Sequence, residues 1–297
     1  MKNALVIGSS CVDVVIKIHH LPTTGEDIHP QSQSFMAGGC AYNVANIIKR
    51  AGENVTFITP VGGAGVFGMF VKTQLDFWGF SDYITLPKSE NGCCYCFVED
   101  RGERTFISCH GAEYTFNSKW MAKYKNTDFD YGYFCGLEVE EETGAELISY
   151  LKGASIKNLF YAPGPRGVHI GKEKTGAIYA LQPILHITDS EAMALGGGES
   201  VEESTIKLFE KTKNTVIVTL GDRGALWYDG AFHQSPPVKV QVADTIGAGD
   251  AHLGALITGL MRGGTMESCM ALANKTAAAV VSTKGASLTS EQIAELF

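Results

Sequence analysis

Apolar residues recur along this chain with two periods, and the points where one gives way to the other divide it into strands and helices. Residues 4 to 8 form a short apolar run that predicts a buried strand, and Val12, Val14, Ile16 and Ile18 then fall on every second position towards Leu21-Pro22. Val44, Ile47 and Ile48 lie on one side of a helix that ends at Ala51-Gly52. A strand from Val55 to Pro60 follows, and Val61-Gly62-Gly63 with Phe67-Gly68 opens a helix that runs through Leu75 and stops before Gly79. Cys94 to Glu99 and Thr105 to Cys109 alternate as the arms of a hairpin joined by Asp100-Arg101-Gly102-Glu103. Further strands end at Phe134-Cys135 and at Leu159 to Tyr161, and Thr215 to Leu220 is a β-branched strand. Near the C-terminus Val238, Val240 and Val242 alternate with Lys239 and Gln241, which predicts a strand with one buried face. Leu253, Leu256, Ile257, Leu260 and Met261 then recur at helical spacing until Gly263-Gly264. This alternation predicts an α/β fold with a large, mostly parallel sheet sandwiched by helices.

The turn between the last strand and helix, Ala243-Asp244-Thr245-Ile246-Gly247-Ala248-Gly249-Asp250-Ala251, carries the strongest chemical signal. The N–H groups of residues 247 to 250 would point out of the helix start, where the dipole favours an anion. Gly247 and Gly249 let the backbone come close to a phosphate. A carboxylate in that position opposes anion binding unless it takes the proton of a hydroxyl that attacks the phosphate. On this reading Asp250 is the general base, and the backbone of Gly247, Ala248 and Gly249 holds the charge of the transferred group. The competing reading is that Asp250 caps a helix after an ordinary turn.

Composition narrows the field further. A chain of 297 residues, 45% hydrophobic and 19% charged, is long enough for one large α/β domain or two ordinary ones with a sizeable core. The net charge of −8 and the lack of a lysine-arginine run leave no footprint for nucleic acid or an anionic membrane, so local groups must hold any anionic ligand. No apolar run reaches the roughly 18 residues that span a bilayer. The start is too short and too soon broken, by Gly8 and Asp13, for a signal peptide. Eight scattered cysteines read as reduced thiols of a cytoplasmic protein. Cys93-Cys94-x-Cys96 argues only weakly for a metal, because on a strand Cys93 faces away from the other two and no histidine is spaced for zinc.

Asp244-Thr245-x-Gly247-Ala248-Gly249-Asp250 resembles the C-terminal signature of the ribokinase-like (PfkB) carbohydrate kinases, and similar pieces occur in family order from residue 8 to residue 287. The resemblance implies that Asp13 binds sugar hydroxyls, together with Gly38, Gly39 and Asn43 of Ala37-Gly38-Gly39-Cys40-Ala41-Tyr42-Asn43. Glu138 falls where related kinases place a glutamate near the sugar and its metal. Thr219-Leu220-Gly221-Asp222-Arg223-Gly224 is similar to the turn that lies against ATP, which implicates Thr219, Gly221, Asp222 and Gly224, and the segment from Asn274 would flank the adenine. Glu191 stands in the element that tunes Mg2+ through water, with Thr188 in place of the usual asparagine. Asp244 and Ile246, with Gly285 and Ser287, lie in loops similar to those that hold a monovalent cation, K+. Residues of about 12–37 and 93–110 would form a small β-lid within a single domain spanning 1–297, and such a lid excludes water from a transferable phosphate.

Some positions depart from the pattern. Cys11 replaces a substrate-binding asparagine, Cys40 a lysine of ribose-specific members, and Ala162 a polar residue. His252 stands where phenylalanine is usual and reads as a packed or solvent histidine. His110 and Glu113 either reach the site or belong to the surface. The expected function is ATP- and Mg2+-dependent phosphorylation of a hydroxyl on a small sugar-like substrate other than ribose, in the cytoplasm, with no nucleic-acid or membrane partner. The family pattern also admits a homodimer through the lid. A nucleoside kinase on the same scaffold is the alternative. A catalytically idle sugar or nucleotide sensor is a third reading, against which the retention of Asp250 with both glycines argues.

Overall fold

The structure, a computed structural model, describes residues 2–283 and 288–297, so Gly285 and Ser287 lie outside the described residues. The N-terminal part runs β1 (Asn3–Ile7), β2 (Cys11–Ile18), β3 (Ser32–Gly38), α1 (Cys40–Arg50), β4 (Asn54–Ile58), β5 (Pro60–Ala64), α2 (Gly65–Phe77) and β6 (Ile84–Glu90). A hairpin of β7 (Cys93–Glu99) and β8 (Arg104–Cys109) follows. The chain then alternates: β9 (Phe129–Cys135), α3 (Gly136–Glu140), α4 (Gly144–Gly153), β10 (Ile156–Ala162), α5 (Lys172–Tyr179), β11 (Ile184–Thr188), α6 (Asp189–Gly196), α7 (Val201–Thr212) and β12 (Val216–Thr219). It closes with β13 (Ala225–Tyr228), β14 (Phe232–Ser235), α8 (Ala248–Met261), α9 (Met266–Val281) and α10 (Ser290–Leu296).

The main sheet has the order β14-β13-β12-β11-β10-β9-β1-β4, with the strands from β12 to β4 parallel and β13-β14 an antiparallel edge. Its two faces are read directly from β1. Ala4 and Val6 pack into a layer with Val44, Ile48, Leu256 and Ala273, from α1, α8 and α9. Leu5 and Ile7 pack into the opposite layer with Leu147, Ile178 and Leu208, from α4, α5 and α7. A strand covered on both faces must be apolar at every position, which is why residues 4 to 7 show no alternation. A second sheet, β3-β2-β7-β8, joins antiparallel, parallel and antiparallel pairs, and β5 pairs with β6 separately.

Two buried side chains fix how the small sheet leaves the body. Glu113, fully buried, accepts from Gly92 N (2.8 Å) and Gly111 N (3.1 Å) at the two feet of the hairpin, and from Asn91 Nδ2 (3.1 Å). Asn91 in turn donates to Ser10 O (2.9 Å) between β1 and β2, and accepts from Gly62 N (2.6 Å) in β5. Glu113 therefore belongs to neither the site nor the surface. Burial pushes its carboxyl up while the backbone donors pull it down. His110 pairs with Glu141 and stacks on Tyr114.

Two expectations need correction. Val61-Gly62-Gly63 is part of β5, and the helix starts only at Gly65. Residues 238–242 form no strand, and Val238, Val240 and Val242 are exposed (43%, 41% and 65%). The alternation there has no ladder to join, because Pro236-Pro237 removes two successive donors just past β14 and ends the sheet edge. The chain is tied down again where Ala243 N and Asp244 N both donate to Val281 O (2.8 and 3.1 Å).

Glu113→Leu would leave the Gly92 and Gly111 amides buried without an acceptor. A loss of roughly 2–6 kcal/mol is expected at ~1–3 per orphaned donor, with Glu113→Gln losing less because one oxygen remains. Urea unfolding measures it. A loss for the leucine variant no larger than for the glutamine variant would mean that the bracket carries no stability.

Candidate active site

Several of the candidate residues lie where the chain leaves one end of the main sheet. β1 leads to Ser9, β9 to Glu138, β11 to Glu191 and β12 to Gly221, while α1 and α8 begin beside them. This is the carboxyl end of the parallel strands, where the loops of open α/β sheets form ligand crevices.

Asp250 occupies the first turn of α8, but the N-cap is Gly247, in the left-handed region (φ 73°), and no side chain caps the helix. The capping reading of Asp250 is thus excluded. The first backbone bond of the helix start is Ala251 N to Gly247 O (2.8 Å), so the N–H groups of Gly249 and Asp250 point forward without a helical acceptor. Ala248 N closes the turn weakly onto Thr245 O (3.4 Å). A Cβ placed on Gly249 would meet nothing, so the space in front of this turn is open. Asp250 Oδ2 accepts from Asn43 Nδ2 of α1 at 2.8 Å. Burial pushes the carboxyl up to about 7; the Asn43 amide and the Cys40 thiol pull it down, and the Asp13 and Glu138 charges push it further up. It can hold or release a proton near neutrality.

Asp13 lies on β2 opposite Met36 and Cys94, and burial followed by the charge of Asp244 raises its carboxyl to about 6. Gly38 has no room for a side chain: a Cβ there would fall 2.1 Å from Asp13 Oδ2. Gly39, at φ 100°, lies 2.7 Å from Ser9 O by the same measure. The two glycines make room for Asp13 and the β1-β2 turn, a use the sequence did not disclose. Glu138 is buried on α3; its Oε1 accepts from Ser9 N (2.7 Å), and its Oε2 has no partner among the described residues. An orphaned buried carboxylate oxygen fits a bound hydroxyl or a metal-held water.

Glu191 forms a capping box with Thr188: Oε2 accepts from Thr188 N (3.0 Å), and Glu191 N donates to Thr188 Oγ1 (3.2 Å). One of its oxygens stays available, and burial raises the group. Asp189 bonds Arg223 Nη2 (2.9 Å) of the turn after β12. That turn also carries the exposed Gly221 and Asp222, with Thr219 before it and Gly224 at φ 86° after it. Leu220, Arg223, Gln234, Ser235, Pro236 and Val201 line a cleft of about 580 Å³. Asn274 sits behind this cleft, with its amide bonded to Ser235 O, Ser235 Oγ and Pro236 O (3.2, 3.0 and 2.9 Å); it shapes the wall.

Among the described residues no group of three or more His, Cys, Asp or Glu could hold a metal ion. Cys11 is buried beside Gly38, Cys40 is half-buried, and Cys93 faces Cys109 across the hairpin. His252 is packed, its Nδ1 2.9 Å from His186 Nε2, and burial lowers both rings to neutrality. Sequence reasoning missed Arg104. From β8 its Nη1 reaches Asp244 Oδ1 (2.9 Å), the oxygen that also accepts from Ile246 N (2.8 Å). A lone arginine after a hairpin turn has no periodicity to single it out.

Comparison with known proteins places this geometry in context. The family model for pfkB family carbohydrate kinases matches residues 1–293. The uncharacterized sugar kinase YegV of Escherichia coli is 32% identical over 290 residues, covering 96% of this chain and 90% of that protein. Among solved structures, a ribokinase of Thermotoga maritima superposes with a TM-score of 0.84 at 22% identity, covering 100% of this chain and 99% of the other. The aminoimidazole riboside kinase of Salmonella enterica, complexed with aminoimidazole riboside and an ATP analogue, gives 0.81 at 21% identity with 99% of both chains covered. These two likenesses establish the shared fold.

The raised carboxyl has a consequence for stability. With a folded value of about 7 against an ordinary 3.8, the folded state binds this proton more tightly, so the favourable contribution is complete at low pH and is lost as pH rises through 7. Asp250→Asn removes the dependence. Its Tm relative to the parent should rise between about pH 5 and about pH 8. A Tm difference that does not change with pH would show that Asp250 titrates as an ordinary carboxylate.

Proposed function

The chain belongs to the pfkB family of carbohydrate kinases, and from that premise we propose how its site carries out ATP-dependent phosphorylation of a sugar-like hydroxyl. The observation that supports the reading most is Asp250: a carboxyl raised to about 7, at an open helix start with two forward-pointing N–H groups. Asp250 takes the proton of the attacking hydroxyl. The N–H groups of Gly249 and Asp250 and the positive end of α8 carry the charge that builds on the transferred phosphoryl. The nucleotide lies in the cleft beside Leu220 and Arg223, against the wall that Asn274 holds. Mg2+ keeps most of its waters and needs few protein oxygens, so the free oxygens of Glu191 and Glu138 fit it through water. It would neutralise phosphate charge when bound. For K+, the Asp244-Ile246 turn supplies one half of a loop site, and Gly285 and Ser287 belong to the half outside the described residues.

Asp13, Asn43 and Glu138 meet the hydroxyls of the substrate, and the small sheet acts as the lid over it. The charge of Asp244 raises the proton affinity of Asp13, and the charges of Asp13 and Glu138 raise that of Asp250, so a second anion on the sugar would be repelled and the substrate is uncharged. Cys11 and Cys40 offer weak hydrogen bonding at its edge, which disfavours ribose and suits a less polar edge. The half-exposed Phe35 and Ile107 end the row Phe35–Val14–Tyr95–Ile107, and β8 is an unpaired edge, so the small sheet is the face a second copy of the chain would take. Light scattering should give twice the chain mass and, for Ile107→Lys, the chain mass. A monomeric parent would remove the homodimer from this reading.

Turnover over neutral pentoses, hexoses, nucleosides and sugar phosphates tests the main proposal. A neutral compound other than ribose should give the highest kcat/KM. Asp250→Asn should keep ATP affinity and lower kcat by at least ~10²-fold. Near-normal kcat in that variant, or preference for a sugar phosphate, would overturn the assignment.

A further inference from the structure

Arg104 opens β8 on the same face of the small sheet as Phe106 and Ser108, and register carries that face across Cys94 to Asp13. Its guanidinium crosses from this sheet to the turn before α8. Nη1 pairs with Asp244 Oδ1 at 2.9 Å and approaches Thr245 Oγ1 at 3.4 Å, with both charged side chains largely buried (18% and 14% exposed). Asp244 passes the contact on: the same Oδ1 accepts from Ile246 N, next to the Gly247 that begins α8. The Nε–H of Arg104 is buried without a partner among the described residues.

We propose that Arg104 is a positioning residue that couples the small sheet to the phosphate-binding turn. The inference rests on the phosphotransfer reading above. The sheet supplies Asp13 to the substrate and Arg104 to Asp244, so the placement of the sheet over a substrate and the placement of the 244–247 backbone are mechanically one event. A largely buried, charge-assisted contact suits this use because it is strong only when both partners are aligned and shielded from water. The unpartnered Nε–H is the donor left for an oxygen of the incoming ligand. Lysine could replace the charge but not the planar guanidinium, whose Nη1 meets both Asp244 and Thr245 while its Nε–H stays without a partner among the described residues.

The test compares Arg104→Met, Arg104→Lys, Asp244→Asn and the Arg104→Met/Asp244→Asn double variant with the parent, using the sugar the parent turns over best. Arg104→Met should lower kcat by ~10²-fold, the scale of a small misplacement of the transfer groups, with KM for ATP little changed. Arg104→Lys should recover only part of the loss. The double variant should be no slower than the slower single, since both remove one contact. Hydrogen exchange without ligands gives a readout apart from activity: amides 245–250 should exchange faster in Arg104→Met, while those of β9 and β10 are unchanged and show that the fold is kept. Additive losses in the double variant, or unchanged exchange at 245–250, would refute the coupling. If the parent phosphorylates nothing, the phosphotransfer reading fails, and the exchange result still decides the coupling.

Discussion

Carboxylates crowd the crevice of this protein, and they are held there chiefly by neutral donors. Asp250 has an amide and a thiol, Glu138 a backbone N–H, and Asp13 is raised by burial and by Asp244. Arg104 brings a full positive charge close, and it is paired with Asp244. Removing carboxylates from water without counter-charges is unfavourable and keeps some of them protonated near neutrality. The rise of the Asp250 carboxyl to about 7 follows chiefly from its burial, with the Asp13 and Glu138 charges adding to it.

A strained cluster of this kind persists only where the surroundings hold it in place. The two apolar layers on either face of the main sheet are continuous, from Val6 and Val44 on one side to Leu5 and Leu185 on the other. They anchor the strands whose carboxyl ends present the site, so the positions of Ser9, Glu138, Glu191 and Gly221 vary little relative to one another. The small sheet is attached differently. It joins the body through the Asn91–Glu113 bracket at its base and the Arg104–Asp244 contact near its tip, and polar contacts of this kind can be broken and remade.

The same reasoning explains why relatives near 20% identity keep this fold. What must be preserved is a sheet buried on both faces and a helix start with a free first turn, and many apolar residues satisfy the first requirement. Local features sit on this frame: Cys11 is buried beside Gly38, Cys40 is half-buried, Thr188 closes a capping box on Glu191, and His186 packs against His252.

The sequence alone determined the α/β class, the turn at residues 243–251 and the candidates Asp250, Asp13 and Asn43, because period, glycine placement and motif are properties of neighbours along the chain. It misplaced a strand at 238–242, since alternation reports a pattern of side chains and not whether a partner strand exists. It did not disclose that Gly38 and Gly39 also make room for Asp13 and Ser9, and it left Glu113 undecided between site and surface. Arg104 it did not mark at all. These are contacts between residues up to 140 apart in number, such as Arg104 and Asp244, and only folding brings such groups within reach and strips the water from between them. Whether a carboxyl is a cap, a bracket or a buried group raised towards neutrality was therefore decided by tertiary structure, because burial and donors set its proton affinity and neither is written in its identity.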